Sequence, residues 1–291
     1  MPSQLTGGPL TAEQVDQFNR EGYLLFPAAF TAEEVKRMSD EADRILAYIL
    51  NASIAVGSID PRLDAMESVD HPGVLDVRKL QPVKDLSDTF KSLTEDERLL
   101  GPMRQIMGSE PILMEEKLNY KQLVQGQAFL DVFPLPKSVD RFYLHHDWGY
   151  FRQQGYPPEI LSSAIAIDEN THESGPLRVI PGTHLKEWPL KDPNPMSGNG
   201  QVVDGLFRDE DMVELTCPAG TVMMFHSMLL HDSLPNTTGK PRRLMIYSHY
   251  PGSFSFPEDE RNGRNRELGR ALEAQFEQKR QSGWQDQIKV P

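Results

Sequence analysis

The sequence predicts a mainly β fold with flanking helices, in which N-terminal helices pack on an antiparallel double sheet. Three observations carry that reading. Two early segments open on helix-capping signatures and continue with apolar residues at helical spacing. From Pro111 to Tyr250 the apolar residues fall instead into short, turn-bounded runs. Beyond them, residues 258–281 are strongly charged, as an exposed helix would be. With 291 residues, 38% of them hydrophobic, the chain is long enough for a sizeable core and reads as one domain.

The first capping box is Thr11-Ala12-Glu13-Gln14, and its helix is expected to run to about Glu21, where Gly22 can close it. Tyr23 to Pro27 follows as a short buried strand. Thr31-Ala32-Glu33-Glu34 opens a longer helix with Val35, Met38, Ala42, Ile45 and Leu46 on one stripe. Residues 54–76 mix Gly, Pro, Asp and Ser between short apolar pieces and read as a long loop. A further helix is expected from Glu95 to about Met107, capped at Thr94 and broken or kinked at Gly101-Pro102. The strands expected next are Phe129–Phe133, Phe142–His146, Ser162–Asp168, Leu177–Ile180, Thr221–Phe225 and Leu244–Tyr250. Residues 191–205, rich in Pro, Gly, Asn and Asp, read as a surface insertion. No internal repeat or low-complexity tract interrupts this order.

Composition removes several function classes. Forty-three acidic against 30 basic side chains give a formal charge of −13, which argues against nucleic acid or an anionic membrane as partner. Cys217 is the only cysteine, so neither an intramolecular disulfide nor a cysteine-cluster metal site is available. No apolar run approaches the ~18 residues of a membrane span, and the first residues lack the basic and apolar regions of a secretory signal. A cytoplasmic protein, monomer or homodimer, is the expectation.

The informative cluster is Tyr143-Leu144-His145-His146-Asp147-Trp148. In a strand, residues two apart share a face, so His145 and Asp147 would point to one centre and His146 away from it. A histidine and a carboxylate supply two legs of the facial triad that leaves open positions on non-haem Fe(II). The third leg must come from afar. His231 is the best candidate, following a mostly apolar stretch and preceding the turn Asp232 to Asn236. His226 competes but would face the opposite side of a continuous strand, as a core group. His71, His172 and His184 lie in loop-like stretches. Eleven residues after His231, Arg242 opens a strand whose antiparallel return could bring its guanidinium near, where it would suit a bidentate carboxylate. Arg243, next to it, should face away into a surface or inter-sheet ion pair. Trp148, Tyr150 and Phe151 would either wall the pocket or join the core.

Several separated segments then resemble one family. Leu10 to Val15, Glu21-Gly22-Tyr23-Leu24 and Phe30 to Val35 resemble the N-terminal pattern of the phytanoyl-CoA dioxygenase (PhyH) family of Fe(II)/2-oxoglutarate-dependent oxygenases. Leu144 to Asp147 resembles its His-x-Asp strand, Ser174 to His184 its Pro-Gly-Thr-His turn, and Leu230 to Thr238 with Arg242-Arg243 its distal histidine region. The resemblance spans roughly residues 10–250. It implies a double-stranded β-helix (jelly-roll, cupin-like) core over residues 111–250, after a helical part at 10–110 and before a helical tail at 251–291. It implies that His145, Asp147 and His231 bind Fe(II), and that Arg242 with Ser233 beside it binds 2-oxoglutarate. Lys79, Lys117, Asn119 and Lys121 are implied as further cosubstrate contacts.

The activity implied is oxidation of an unactivated C–H bond of a small metabolite or natural product. O2 is consumed, 2-oxoglutarate gives succinate and CO2, and ascorbate is expected to stimulate. The carboxylate of Asp147 favours hydroxylation over halogenation, since the halogenases that resemble this scaffold have a small residue there. An acyl-CoA hydroxylase, a non-catalytic jelly-roll binding protein and a hydrolytic metal site are the alternatives. Substrate choice is expected in residues 54–76, 122–140 and 191–210, where nothing matches a family signature.

Overall fold

The computed structural model describes residues 9–290. In chain order its elements are α1 (Ala12–Glu21), β1 (Tyr23–Phe26), α2 (Ala32–Val56), β2 (Leu63–Ser68), β3 (Val74–Leu80), α3 (Asp88–Ser92), α4 (Glu97–Met107) and β4 (Pro111–Gln125). There follow α5 (Gln127–Leu130), β5 (Lys137–Ser138), β6 (Phe142–His145), α6 (Trp148–Phe151), β7 (Leu161–Ala166), β8 (Arg178–Val179) and β9 (Val213–Glu214). The last are β10 (Val222–His226), β11 (His231–Ser233), β12 (Leu244–Pro251) and α7 (Gly263–Gln281). An eight-stranded sheet in the order β1-β10-β7-β12-β4-β3-β2-β5 faces a four-stranded sheet ordered β6-β11-β8-β9.

Both N-terminal capping boxes form. Thr11 Oγ1 accepts from Gln14 N at 3.2 Å while Gln14 Oε1 accepts from Thr11 N at 2.9 Å, and Thr31 and Glu34 repeat the exchange. Gly22, at φ 84°, closes α1 in a conformation that only glycine adopts freely. The apolar stripe of α2 continues past Leu46 through Ile49, Leu50 and Ile54, so this helix ends at Val56 with Gly57 (φ 77°) as its cap. The main core runs from Leu10 and α2 through β3, β4, β7 and β12 to Ile288, joining both ends of the described chain.

Four expectations are corrected. Residues 54–76 are not a long loop: they hold the end of α2, strand β2 and the start of β3, a half-buried hairpin whose acidic residues masked its alternation. Phe129–Phe133 is not a strand but α5 and the turn after it, with Phe129 buried as an anchor. The helix α4 is capped by Asp96, which accepts from Arg98 N at 2.9 Å, and not by Thr94, whose hydroxyl donates to Lys91 O; it runs unbroken through Gly101-Pro102. The charged helix α7 is exposed on one face only, since Leu272 and Phe276 are buried with Ala52 of α2. Among the described residues no helix is long and apolar enough to cross a membrane.

Candidate active site

The two sheets enclose a cavity of about 280 Å3. The large sheet contributes Glu115, Lys117 and Asn119 from β4, Leu244 and Ile246 from β12, Ala164 and Phe225. The small sheet contributes Phe142, Tyr143 and His145 from β6 and His231, Asp232 and Ser233 from β11.

His145 and His231 face one another because β6 and β11 pair antiparallel with these two residues in register, and their ring centroids lie 4.2 Å apart. Asp147 reaches them by a different route from the one the sequence suggests. Strand β6 ends at His145, and Asp147 is the first turn's cap of α6, with helical dihedrals of φ −65° and ψ −36°. Strand alternation therefore does not align the pair; the chain turns instead. Backbone bonds from His146 N to Gly200 O (3.1 Å) and from Trp148 N to Ser227 O (3.0 Å) fix that turn. Asp147 Oδ1 then lies 3.7 Å from His145 Nε2 and 3.8 Å from His231 Nε2. One ligand atom from each of the three residues falls within 4.8 Å of the others.

The hydrogen bonds behind the rings select the tautomer. His145 Nδ1 lies 2.7 Å from Tyr143 O, and His231 Nδ1 lies 2.9 Å from Leu229 O. A carbonyl only accepts, so each Nδ1 carries the proton and each Nε2 lone pair faces the cavity. Burial, then the neighbouring His231, pushes His145 down to about 3, which keeps the ring neutral at ordinary pH. Burial raises Asp147, but Lys117 and the two histidines outweigh it and hold the carboxyl below its usual range. Two imidazole Nε2 atoms and one carboxylate on one side of an open cavity fit a divalent ion of the Fe(II) type.

The other histidines are elsewhere. His146 turns away, is buried, and accepts from Gly149 N at 3.1 Å. His226 accepts from Met228 N at 3.1 Å beside His184, outside the cavity lining.

Arg242 lines the cavity two residues before β12 and is 3% exposed. Its Nη2 donates to Gly175 O at 2.8 Å, and among the described residues its Nε has no partner and no carboxylate lies within ion-pair distance. Burial pushes it down to about 10. A buried guanidinium left this way is built for an anion that arrives from outside the chain. Ser233, Lys79, Lys117 and Asn119 line the same cavity, and Asn119 Oδ1 is unpartnered. Lys121 does not line it: its Nζ is held by Asp140, at 2.7 Å from Oδ1 and 3.2 Å from the carbonyl. Arg243 faces away as expected, but its pair is neither at the surface nor between sheets. It joins Asp43 of α2 (2.6 Å) to Asp168 (2.8 Å), tying helix to sheet. Tyr150 and Phe151 wall the cavity, while Trp148 joins the core, donating to Tyr156 O.

Several lining residues escaped the sequence reading. Glu115, 1% exposed, pairs with Lys117 at 2.7 Å and with Arg261, and accepts from Gln81 at 2.9 Å. Burial would raise this carboxyl, but Lys117 and Arg261 hold it far below the carboxylate range. The alternation of residues 115, 117 and 119 was the available signal for Glu115; Arg261, from the segment before α7, had none.

The phytanoyl-CoA dioxygenase (PhyH) family model matches residues 18–244. The ectoine dioxygenase of Halomonas elongata is 28% identical over 81% of this chain and 68% of its own length. That of Sphingopyxis alaskensis is 29% identical over 80% of this chain and 74% of its own. The crystal structure of EctD from S. alaskensis with 2-oxoglutarate and 5-hydroxyectoine superposes with a TM-score of 0.61 at 26% identity, covering 85% of this chain and 78% of that one; the same protein has also been seen with bound Fe. The epimerase SnoN, at 19% identity and a TM-score of 0.60 over 82% of each chain, shares the fold. The chain thus belongs to the phytanoyl-CoA dioxygenase (PhyH) family, with the mainly β, jelly-roll-type fold of that family and its enzyme class, an Fe(II)/2-oxoglutarate-dependent dioxygenase.

Proposed function

We propose that this enzyme hydroxylates an unactivated C–H bond of a small metabolite, using O2 and 2-oxoglutarate, with His145, Asp147 and His231 as the iron ligands. The observation that carries it is the pairing of that donor set with Arg242, a buried cation that has no counter-charge of its own. Iron, when bound, supplies the redox chemistry that activates oxygen; the chain's own residues do the rest. Tyr143 and Leu229 carbonyls orient the two imidazoles. Lys117 keeps Asp147 ionised. Arg242 and Ser233 anchor the distal carboxylate of 2-oxoglutarate, with Asn119 and Lys79 as further contacts. Tyr150, Phe151, Leu244 and Ile246 form the walls that position substrate and exclude bulk water. Ascorbate stimulation and a cytoplasmic location belong to the same proposal.

The test is succinate release from 2-oxoglutarate by anaerobically iron-loaded protein exposed to O2, with a metabolite panel in which ectoine, the substrate named by the relatives, comes first. Release that depends on iron and rises with one compound class is expected. No iron-dependent release under any condition, including slow turnover without substrate, would move the reading to a binding protein.

A further inference from the structure

At the solvent end of the cavity, marked by Tyr143 at 51% exposure, the fold gathers arginines that it leaves without counter-charge. Among the described residues the arginines with no ion pair are Arg78, Arg141, Arg152, Arg242 and Arg264. In a chain with 43 acidic side chains against 30 basic ones, carboxylates to pair with are not scarce. Arg242 has its role above, and Arg264 is exposed on α7.

Arg78 and Arg141 form a unit. Arg78 Nη2 approaches Arg141 O at 3.4 Å, which brings the end of β3 against the start of β6. Arg78 Cζ lies 4.6 Å from the centroid of Phe142, and Arg141 Cζ lies 5.3 Å from that of Tyr143. Arg78, Phe142 and Tyr143 line the cavity; Arg141 lines an adjoining hollow that shares Tyr143 with it. Both Nε atoms are buried and unpartnered. Stacking on a ring fixes the guanidinium plane and leaves its N–H edge for a planar or tetrahedral anion.

Among the described residues no nearby carboxylate forms an ion pair with Arg78 or Arg141; Asp204 and Asp209, which line the hollow with Arg141, pair with Lys191 and Arg178. Asp140 is held by Lys121 and by Asn236 N at 3.0 Å. Asp232 grips Arg178 at 2.7 and 2.6 Å. Asp76, two residues before Arg78, makes no ion pair among the described residues; burial and Asp140 push its carboxyl up to about 6 against the pull of Lys121 and Arg78.

We propose that the primary substrate is an elongated organic anion, its carboxylate or phosphate held by Arg78 and Arg141 and its oxidised carbon at the opposite, triad end of the cavity. This names the substrate class for the oxygenase reading and rests on it. Strand β6 runs from Phe142, next to Arg141, to His145, three residue steps of roughly 10 Å, so the arginine pair and the triad lie toward opposite ends of that strand.

The test is isothermal titration of zinc-loaded protein, first with 2-oxoglutarate, then with octanoate, octyl phosphate and the neutral octanamide as probes. Both anions, or the preferred one, should bind at least about tenfold more tightly than octanamide. A preference between the two assigns carboxylate or phosphate. The double variant Arg78→Gln/Arg141→Gln should lose about that tenfold while its 2-oxoglutarate titration stays unchanged, and Arg78→Lys/Arg141→Lys should recover part of it. Octanamide binding as well as the anions, or anion binding unchanged in the glutamine variant, overturns the proposal. Absence of 2-oxoglutarate binding in the wild-type protein would instead overturn the oxygenase site on which it rests.

Discussion

Replacing Arg242 by methionine separates a ligand-binding arginine from a structural one, because the two roles predict opposite changes in stability. The guanidinium is 3% exposed and, among the described residues, makes one hydrogen bond, to Gly175 O, and has no carboxylate within ion-pair distance. A charge in that state destabilises the ligand-free fold, by several kcal/mol for an isolated buried ion. Methionine keeps much of the volume and none of the charge. The ligand-free Arg242→Met protein should therefore melt no lower than wild type, and higher if the cavity repacks. Cosubstrate affinity should move the other way. Charge-assisted bonds to a carboxylate contribute ~1.5–3 kcal/mol, which at ~1.4 kcal/mol per decade is roughly a 10- to 140-fold rise in apparent KM for 2-oxoglutarate. At a concentration of ~100 times its Kd, 2-oxoglutarate stabilises the wild type by about 2.7 kcal/mol. At the same concentration the variant, weakened by that factor, should gain only about 0.3–1.4 kcal/mol. Melting curves of zinc-loaded protein with and without 2-oxoglutarate, together with succinate-release kinetics on the iron form, measure both quantities. A variant that melts several degrees lower when free and keeps the wild-type KM would refute the reasoning and make Arg242 a structural residue.

Three other outcomes are expected. Alanine at His145, Asp147 or His231 should abolish succinate release and weaken iron retention in equilibrium dialysis, whereas His146→Ala should retain iron; loss of iron only in the last variant would put the metal on the other side of β6. Stability should fall as pH drops below about 6.5, because His226 and His249, both pushed down to about 3 by burial, refuse protons that the unfolded chain accepts near 6.5. Neither nitrogen of His249 has a partner, so His249→Leu should flatten urea-derived stability between pH 6 and 5 by up to ~1.4 kcal/mol per pH unit, about one proton's worth, and an unchanged slope would show that His249 titrates normally. Gly200→Ala places a Cβ 2.2 Å from His146 O and 2.8 Å from the Tyr150 ring, so the turn that presents Asp147 must shift; weaker iron binding at a stability cost of ~1–3 kcal/mol is expected, and wild-type iron affinity would mean the turn is held elsewhere.

The features legible in the sequence are those whose cause is local. Thr11 and Thr31 cap helices through partners three residues away, and the structure repeats both exchanges. The stripe of α2 was legible in kind but not in extent, because Asn51 and Ser53 interrupt it; both are buried, Asn51 holding the C-terminal segment through Gln287 N and Ile288 N. Strand β4 is legible from the family resemblance, which puts Lys117, Asn119 and Lys121 on a strand, but not from its own apolar pattern, for a related reason. Its centre carries Glu115, Glu116, Lys117 and Lys121, a pattern that reads as surface until the partners arrive from Arg261, Arg266 and Asp140, at least 19 residues distant. A strand with charges facing a cavity looks, in one dimension, like a strand facing water.

The same difference between local and distant causes explains the site. His145, Asp147 and His231 are legible from residue type and spacing, and the structure brings all three together, yet Asp147 lies in the turn after β6 and not on the strand face of His145. The turn depends on Gly200, 53 residues further on, whose carbonyl accepts from His146 N and whose missing side chain leaves room for His146 O and the Tyr150 ring. The segment expected to be a surface insertion thus fixes the carboxylate from behind, and Gln201 bridges His145 directly. The cations at the cavity's open end belong to the same class. Arg78 and Arg141 are 63 positions apart and unremarkable singly; what gives them meaning is that folding brings them together and that neither forms an ion pair among the described residues. A charge left unpaired by a chain rich in opposite charges is a physical statement about the ligand, and it can be read only once every possible internal partner has been located.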